Sequence, residues 1–253
     1  MKILIKISYL GTAYCGYQVQ PNGISIQQKL NEATFATFGY ECDIVGCSRT
    51  DSGVHANEFC ATVSKKGEEN LSTSIPVERI PLALSAYLPE DICVFAAEWV
   101  PDRFHARYDV KEKEYLYRFY NRSVRSPFEE GRAAHVPKLL DRQAVEAMNQ
   151  AAKTLCGMQD FAAYMAQGSS VKSTVRTVTR AEVLREGDCV ILRIAADGFL
   201  YNMVRIIAGT LLAVGQGKLT VEDVLQITAS RDRMLAGSTM PACGLYLNRV
   251  IYE

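Results

Sequence analysis

The order strand, helix, strand, strand, helix, strand occurs twice in this chain of 253 residues, and that repetition constrains its fold more than any other feature. Residues 2–9 (KILIKISY) alternate apolar and polar side chains, the period of a strand with one buried face. Ser25-Ile26-Gln27-Gln28 has the form of a capping box, and Ile26, Leu30, Ala33 and Phe38 follow it as a helical stripe. Asp43–Ser48 and Glu58–Ser64 read as strands. Leu82–Leu88 reads as a helix with Pro81 near its start and Pro89 stopping it, and Ile92–Val100 as a strand. The order then returns with a strand over Lys113–Tyr120 and a helix capped by Asp141, whose stripe is Ala144, Val145, Met148, Ala151, Ala152 and Leu155. A hairpin of Val175–Leu184 and Val190–Ala196 turns around Glu186-Gly187-Asp188. Helices over Phe199–Val214 and Val221–Ala229 and a strand over Gly244–Tyr252 complete the second set. The expected class is α+β, two ferredoxin-like halves merged into one body with a cleft between them as the natural place for a site. The join near residues 101–110 gives an N-terminal subdomain over 1–104 and a C-terminal one over 105–253.

Such a body needs a core, and 48% apolar residues supply one beside an ordinary 22% charged. No apolar run reaches the roughly 18 residues of a membrane span. The opening MKILIKISYL alternates, and no small-residue cleavage site follows it, so it reads as a strand, and the expected location is cytoplasmic. Eight cysteines stand at least five residues apart, with no C-x-x-C and only three scattered histidines. Zinc spacing is therefore absent, free buried thiols are expected, and no metal or cofactor is implied. The 28 basic and 28 acidic residues balance, which neither favours nor excludes a nucleic-acid partner, because the local field decides. The cations do cluster, Arg103, Arg107, Lys111, Lys113, Arg118, Arg122 and Arg125 in one segment and Lys172, Arg176 and Arg180 in another. Each cluster taken alone reads as a solvated face.

Three stretches carry candidate chemistry. In S-R-T-D-S-G-V-H (Ser48–His55), Asp51 is half of an aspartic-protease dyad, a turn residue or a lone working carboxylate. A dyad needs a second such motif, and Asp197-Gly198 lacks the hydroxyl residue, so the protease reading falls away. Asp-Ser-Gly is also good turn chemistry. Arg49 and Asp51 share a face and can pair if the strand extends to them. In Phe199–Val214 the one charge is Arg205, on a helix whose circumference is otherwise almost wholly apolar. A guanidinium cannot discharge, so Arg205 either snorkels to the surface or meets an anion, Asp51 or a phosphate. Tyr115 and Tyr117 share one face of a strand rich in Lys and Arg. They are core residues on composition alone, while aromatics among cations also suit RNA.

With these positions collected, the sequence resembles the tRNA pseudouridine synthase A family from end to end. The motifs are Y-L-G-T-A-Y-C-G-Y-Q-V-Q (Tyr9–Gln20), R-T-D-S-G-V-H-A (Arg49–Ala56), F-H-A-R-Y (Phe104–Tyr108), K-E-Y-L-Y (Lys113–Tyr117), T-V-R-T-V (Thr174–Val178), F-L-Y-N-M-V-R (Phe199–Arg205) and P-A-C-G-L-Y-L (Pro241–Leu247). The resemblance implies an isomerase that turns uridine into pseudouridine at positions 38, 39 and 40 of the tRNA anticodon arm. It implies a homodimer and base flipping, without a cofactor. It places the catalytic aspartate at Asp51, the active-site tyrosine at Tyr115 and the active-site arginine at Arg205. Arg49 is then the arginine that takes the space of the flipped base, and Leu245 lines the uracil pocket. Arg103, Arg107, Lys111, Lys113, Lys172 and Arg176 become the expected RNA surface. Two letters depart from the family's pattern. Ser48 replaces a glycine, which would be strained if the backbone there needs a positive φ, and Tyr17 stands where tryptophan is common. They keep open a paralogue with another RNA target, beside a non-catalytic RNA-binding protein on the same fold.

Overall fold

The alternation of the first residues becomes strand β1 (Lys2–Tyr9), which buries Ile3, Ile5 and Ile7 completely. The structure, a computed structural model, describes residues 1–168 and 171–252. Its backbone divides into two units, Met1–Lys111 with Leu247–Glu253, and Glu112–Tyr246.

In the first unit β1 pairs antiparallel with β4 (Ile92–Val100) on one side and with β3 (His55–Lys65) on the other. The short β2 (Cys42–Gly46) covers the far half of β3. The resulting order β4-β1-β3-β2 is that of a split β-α-β unit. Helix α1 (Ile26–Phe38) follows β1 and buries Ile26, Leu30 and Ala33, while Phe38 stays half-exposed. The Ser25 hydroxyl accepts from Gln28 N at 3.2 Å, but the Gln28 side chain turns forward to Glu32. The reciprocal capping box forms elsewhere, between Thr220 and Asp223. Helix α2 spans Ile80–Ser85, earlier and shorter than the expected 82–88, because Pro81 sits in its first turn and the chain leaves the helix before Pro89.

In the second unit β5 (Glu112–Tyr120) pairs antiparallel with β9 (Cys189–Ala196), β9 with β8 (Val175–Glu186), and β8 with β7 (Gly157–Asp160). The two-residue β6 (Ala134–His135) runs parallel to the end of β5. Neither β6 nor β7 was expected, since two to four residues carry no readable period. Helix α3 (Arg142–Lys153) is capped by Asp141, whose carboxylate accepts from Ala144 N at 2.8 Å. Helix α4 spans Met203–Gly215 rather than 199–214, because Asn202 adopts a left-handed φ of 58° that a helix interior cannot contain. Nine of its thirteen residues are buried, as its apolar circumference demands. Helix α5 (Val221–Ser230) follows, and β10 (Leu245–Ile251) begins in this unit and continues into the first. The element order is thus the mixed α+β repeat expected, α5 included, with β6 and β7 as additions.

All eight cysteines are free, but only Cys47, Cys60 and Cys189 are buried, and Cys93 and Cys156 are exposed. Among the described residues no helix is long and apolar enough to cross a membrane.

Candidate active site

Asp51 opens a tight turn. Val54 N donates to the Asp51 carbonyl at 3.1 Å, and Gly53 takes a φ of 78° that suits it to the turn's third position. The turn reading of D-S-G is therefore correct as local structure. The strand before it ends at Gly46, so Arg49 and Asp51 do not share a strand face and the pairing expected on that ground loses its premise. Arg49 is exposed and Asp51 half-buried. Ser48 carries no strain, since among the described residues only Asn202 and Arg231 combine a positive φ with a side chain.

The turn is held by the loop that follows β1. The Tyr9 hydroxyl shares a buried 2.9 Å hydrogen bond with Thr50 Oγ1, and Tyr17 N donates to the Thr50 carbonyl at 3.1 Å. The Ser52 hydroxyl donates to the Tyr14 carbonyl at 3.1 Å, and Gly11 N to His55 Nδ1 at 2.9 Å, so the His55 ring, fully buried, uses Nδ1 as an acceptor. Gly16 lies so close beneath Thr50 that a Cβ would stand 2.5 Å from its carbonyl oxygen, and its φ is 89°. Two motifs distant in sequence, Tyr9–Gln20 and Arg49–Ala56, are thus one construction whose product is a fixed Asp51. Gly16→Ala is expected to destabilise by about 1–3 kcal/mol through backbone strain, with the clash in addition, lowering Tm by roughly 2–4 °C per kcal/mol. Thermal unfolding checks this. An unchanged Tm would mean that the loop does not brace the turn.

Beside it, Tyr17 stacks on Phe59 at 4.2 Å, and its buried hydroxyl has no hydrogen-bond partner among the described residues. Burial pushes that hydroxyl far above its ordinary pKa. Tyr17, Ser48, Arg49, His105, Arg107 and Tyr108 are among the residues lining a cavity of about 240 Å³. Arg49 and Arg107, two of the expected cations, meet there with a Tyr108 ring that is 75% exposed.

The second unit presents the other candidates. Tyr115 on β5 is buried and packs edge-on against Phe199, ring centroids 4.9 Å apart. Tyr117 on the same face is fully buried, and its hydroxyl donates to the Pro241 carbonyl at 2.7 Å. Burial raises its pKa, with the Arg205 charge acting in the opposite sense. Gly244 passes under that ring, where a Cβ would come within 2.6 Å of it, and the next residue, Leu245, is buried at the start of β10. Arg205 Nε donates to the Met240 carbonyl at 2.7 Å and Nη1 to Asn202 Oδ1 at 2.8 Å, while Met240 N donates back to the Arg205 carbonyl. Gly237 N adds a 2.9 Å bond to Thr210 Oγ1 on α4. The segment 237–244 is therefore fastened to both α4 and β5. Asn202, Met240 and the Tyr9–Thr50 pair escaped the sequence reading. Asn202 had been placed inside a helix, and backbone partners such as the Met240 carbonyl leave no mark in a sequence.

The basic segments divide. Arg118 pairs with Glu129, Arg122 with Asp188, and Arg180 with Glu114 and Glu182. Arg176 folds back onto the carbonyls of Ser173 and Val175. Arg103, Arg107, Lys111 and Lys172 are exposed and Lys113 half-buried.

Residues 5–109 and 151–253 match the family described as tRNA pseudouridine synthase. A protein named tRNA pseudouridine synthase A from Thermoanaerobacter sp. (strain X514) is 42% identical over 250 residues, 99% of each chain. The chain belongs to the tRNA pseudouridine synthase A family. It is accordingly an isomerase. A second member, tRNA pseudouridine synthase A 2 of Clostridium perfringens, is 42% identical over 99% of each chain. One from Exiguobacterium sp. is 41% identical over all of this chain and 98% of its own. A chain of a solved Cbf5-Nop10-Gar1 complex aligns over 97% of this chain and 48% of its own, at 13% identity and a TM-score of 0.41. The stretches that match the synthase family include the Asp51 turn, Arg205 and Leu245, and leave out 110–150 with Tyr115.

Proposed function

We propose that the chain converts uridine to pseudouridine in the anticodon arm of tRNA, at positions 38, 39 and 40, with Asp51 as its catalytic carboxylate. The observation that carries this is the bracing of the Asp51 turn by the Tyr9–Tyr17 loop, in a chain that matches synthases along its whole length. In the reaction the C1′–N1 bond breaks, uracil turns, and a C1′–C5 bond forms. The C5 hydrogen leaves as a proton and N1 takes one up, so there is no net redox change. Asp51 acts as nucleophile on C1′ or C6, or as the base that removes the C2′ proton. Arg205 pairs with the Asp51 carboxylate and keeps it ionised, because an opposite charge favours the anion. Tyr115 stacks on the uracil and assists at C5, and Leu245 gives the pocket its apolar wall. The target uridine leaves the stack at a cost of a few kcal/mol, which phosphate contacts and Arg49 in the vacated space offset.

Asp51 belongs to the N-terminal subdomain, 1–104, and Tyr115 and Arg205 to the C-terminal one, 105–253. Arg103, Arg107, Lys111, Lys113, Lys172 and Arg176 contact tRNA in a cytoplasmic homodimer. Release of tritium from tRNA carrying 5-³H-uridine tests the reading: turnover is expected, and tRNA binding without release from any tRNA would overturn it. The surface has its own test in the salt dependence of binding. Each phosphate contact contributes about −0.7 to −0.9 to the slope of log K against log salt. Arg107→Ala should shallow the slope by about one contact, whereas Arg122→Ala, which breaks an internal ion pair, should leave it unchanged.

A further inference from the structure

Asn202 precedes α4 at the position where a side chain ordinarily caps a helix. Asparagine is a preferred cap, accepting from the backbone N–H groups of the first turn. Here it makes no such bond. Its φ of 58° and ψ of 12° put it in the left-handed region, one of only two non-glycine residues there among those described. Its carbonyl still accepts from Ile206 N at 3.0 Å, so the helix starts normally along the backbone. The side-chain oxygen is instead 2.8 Å from Arg205 Nη1, one turn into the helix. From the other side the Met240 carbonyl takes Arg205 Nε at 2.7 Å. Two oxygens at different edges thus fix both the position and the plane of the guanidinium.

The chemistry of those acceptors matters as much as their place. A carbonyl and a carboxamide orient a guanidinium by hydrogen bonding without cancelling its charge, whereas a carboxylate in either place would neutralise it. The left-handed backbone is what lets a side chain preceding the helix turn towards Arg205. Asparagine tolerates that conformation better than any other side chain with a neutral carbonyl acceptor.

We propose that Asn202 is a positioning residue for the isomerisation: it gives up its capping bond to aim the Arg205 guanidinium while leaving its charge available to the reacting carboxylate. This rests on the role assigned to Arg205 above, and three substitutions separate the two. Asn202→Gly keeps the left-handed backbone and removes the acceptor. In single-turnover tritium release it should lower the rate roughly ten- to a hundredfold, the range of one hydrogen bond to a charged group. Its tRNA affinity should be nearly unchanged and its Tm little changed, because the left-handed strain that glycine relieves offsets the lost bond. Asn202→Asp keeps an acceptor but adds a charge that competes for the guanidinium, and it too should lose rate without losing affinity. Asn202→Ala removes the acceptor and adds backbone strain, so it should lose rate as Asn202→Gly does and Tm as well. A glycine variant with wild-type rate would show that only the backbone conformation matters, and would overturn the proposal. An aspartate variant with wild-type rate would overturn the requirement for a neutral acceptor. Failure of the underlying reading looks different: the wild type itself would bind tRNA and release nothing.

Discussion

Asp51→Asn is expected to bind tRNA with unchanged affinity and to release no measurable tritium from 5-³H-uridine tRNA, a fall of at least roughly 10³-fold. The substitution is nearly isosteric. The turn uses the backbone carbonyl of residue 51 as its acceptor, and asparagine is as good a turn residue as aspartate. The Tyr9–Thr50 and Ser52–Tyr14 bonds that brace the turn involve neither carboxylate oxygen. What is lost is the nucleophile or base itself. An Asp51→Asn protein that still turned over substrate within an order of magnitude of wild type would remove this residue from the mechanism. A protein that lost affinity in step with rate would assign it to binding.

Arg205→Met should abolish turnover and destabilise the fold together. Methionine fills the apolar volume of the arginine stem on a helix whose other contacts are buried. It cannot donate to the Met240 carbonyl or to Asn202 Oδ1, so two acceptors lose a charged donor at once. Leaving a partly buried acceptor unpaired costs about 1–3 kcal/mol, and a chain of this size loses roughly 2–4 °C of Tm per kcal/mol. Arg205→Lys should recover part of the stability and little of the rate, because a point charge on a flexible stem cannot be gripped at two edges. A fully active Arg205→Met protein with an unchanged Tm would dispose of both roles.

How much of this could be read from residues alone follows from where each partner lies. The repeat was legible because strands of eight or nine residues and helices of twelve or thirteen write long periods, as in Lys2–Tyr9 and Met203–Gly215. Arg205 was legible because one charge on an apolar helix must be accounted for. Its partners were not: the sequence offered an anion or the surface, and the fold supplies in addition a backbone carbonyl 35 residues away and an amide in an unusual backbone state. The Asp51 turn was legible, whereas its brace was not, because backbone-to-backbone bonds such as Tyr17 N to the Thr50 carbonyl depend on no side chain. Ser48 looked costly only while its φ was unknown. Arg118, Arg122 and Arg180 counted in the sequence only as members of basic clusters, because it shows the cations of a segment without the acidic neighbours that folding brings to them.

The path of β10 bears on how the protein comes into being on the ribosome. The first unit holds Asp51, yet it is assembled from two pieces of chain separated by the 135 residues from Glu112 to Tyr246. Asn248 bonds Asn57, and Val250 N reaches Glu58, both on β3 immediately after the turn and His55. The thermodynamic cost of so long an excursion is small, because closure entropy grows only with the logarithm of its length. Its kinetic cost is larger, because a pairing of such sequence separation cannot form until the intervening chain has been made. During synthesis β3 therefore waits with an uncovered edge while the whole second unit emerges. Folding of the aspartate's neighbourhood is completed late and cannot proceed piece by piece from the N-terminus. Slowed translation or a stalled chain would leave that edge open to pairing with other strands, which makes the stretch around Asn57 and Glu58 the place to look for aggregation of nascent protein.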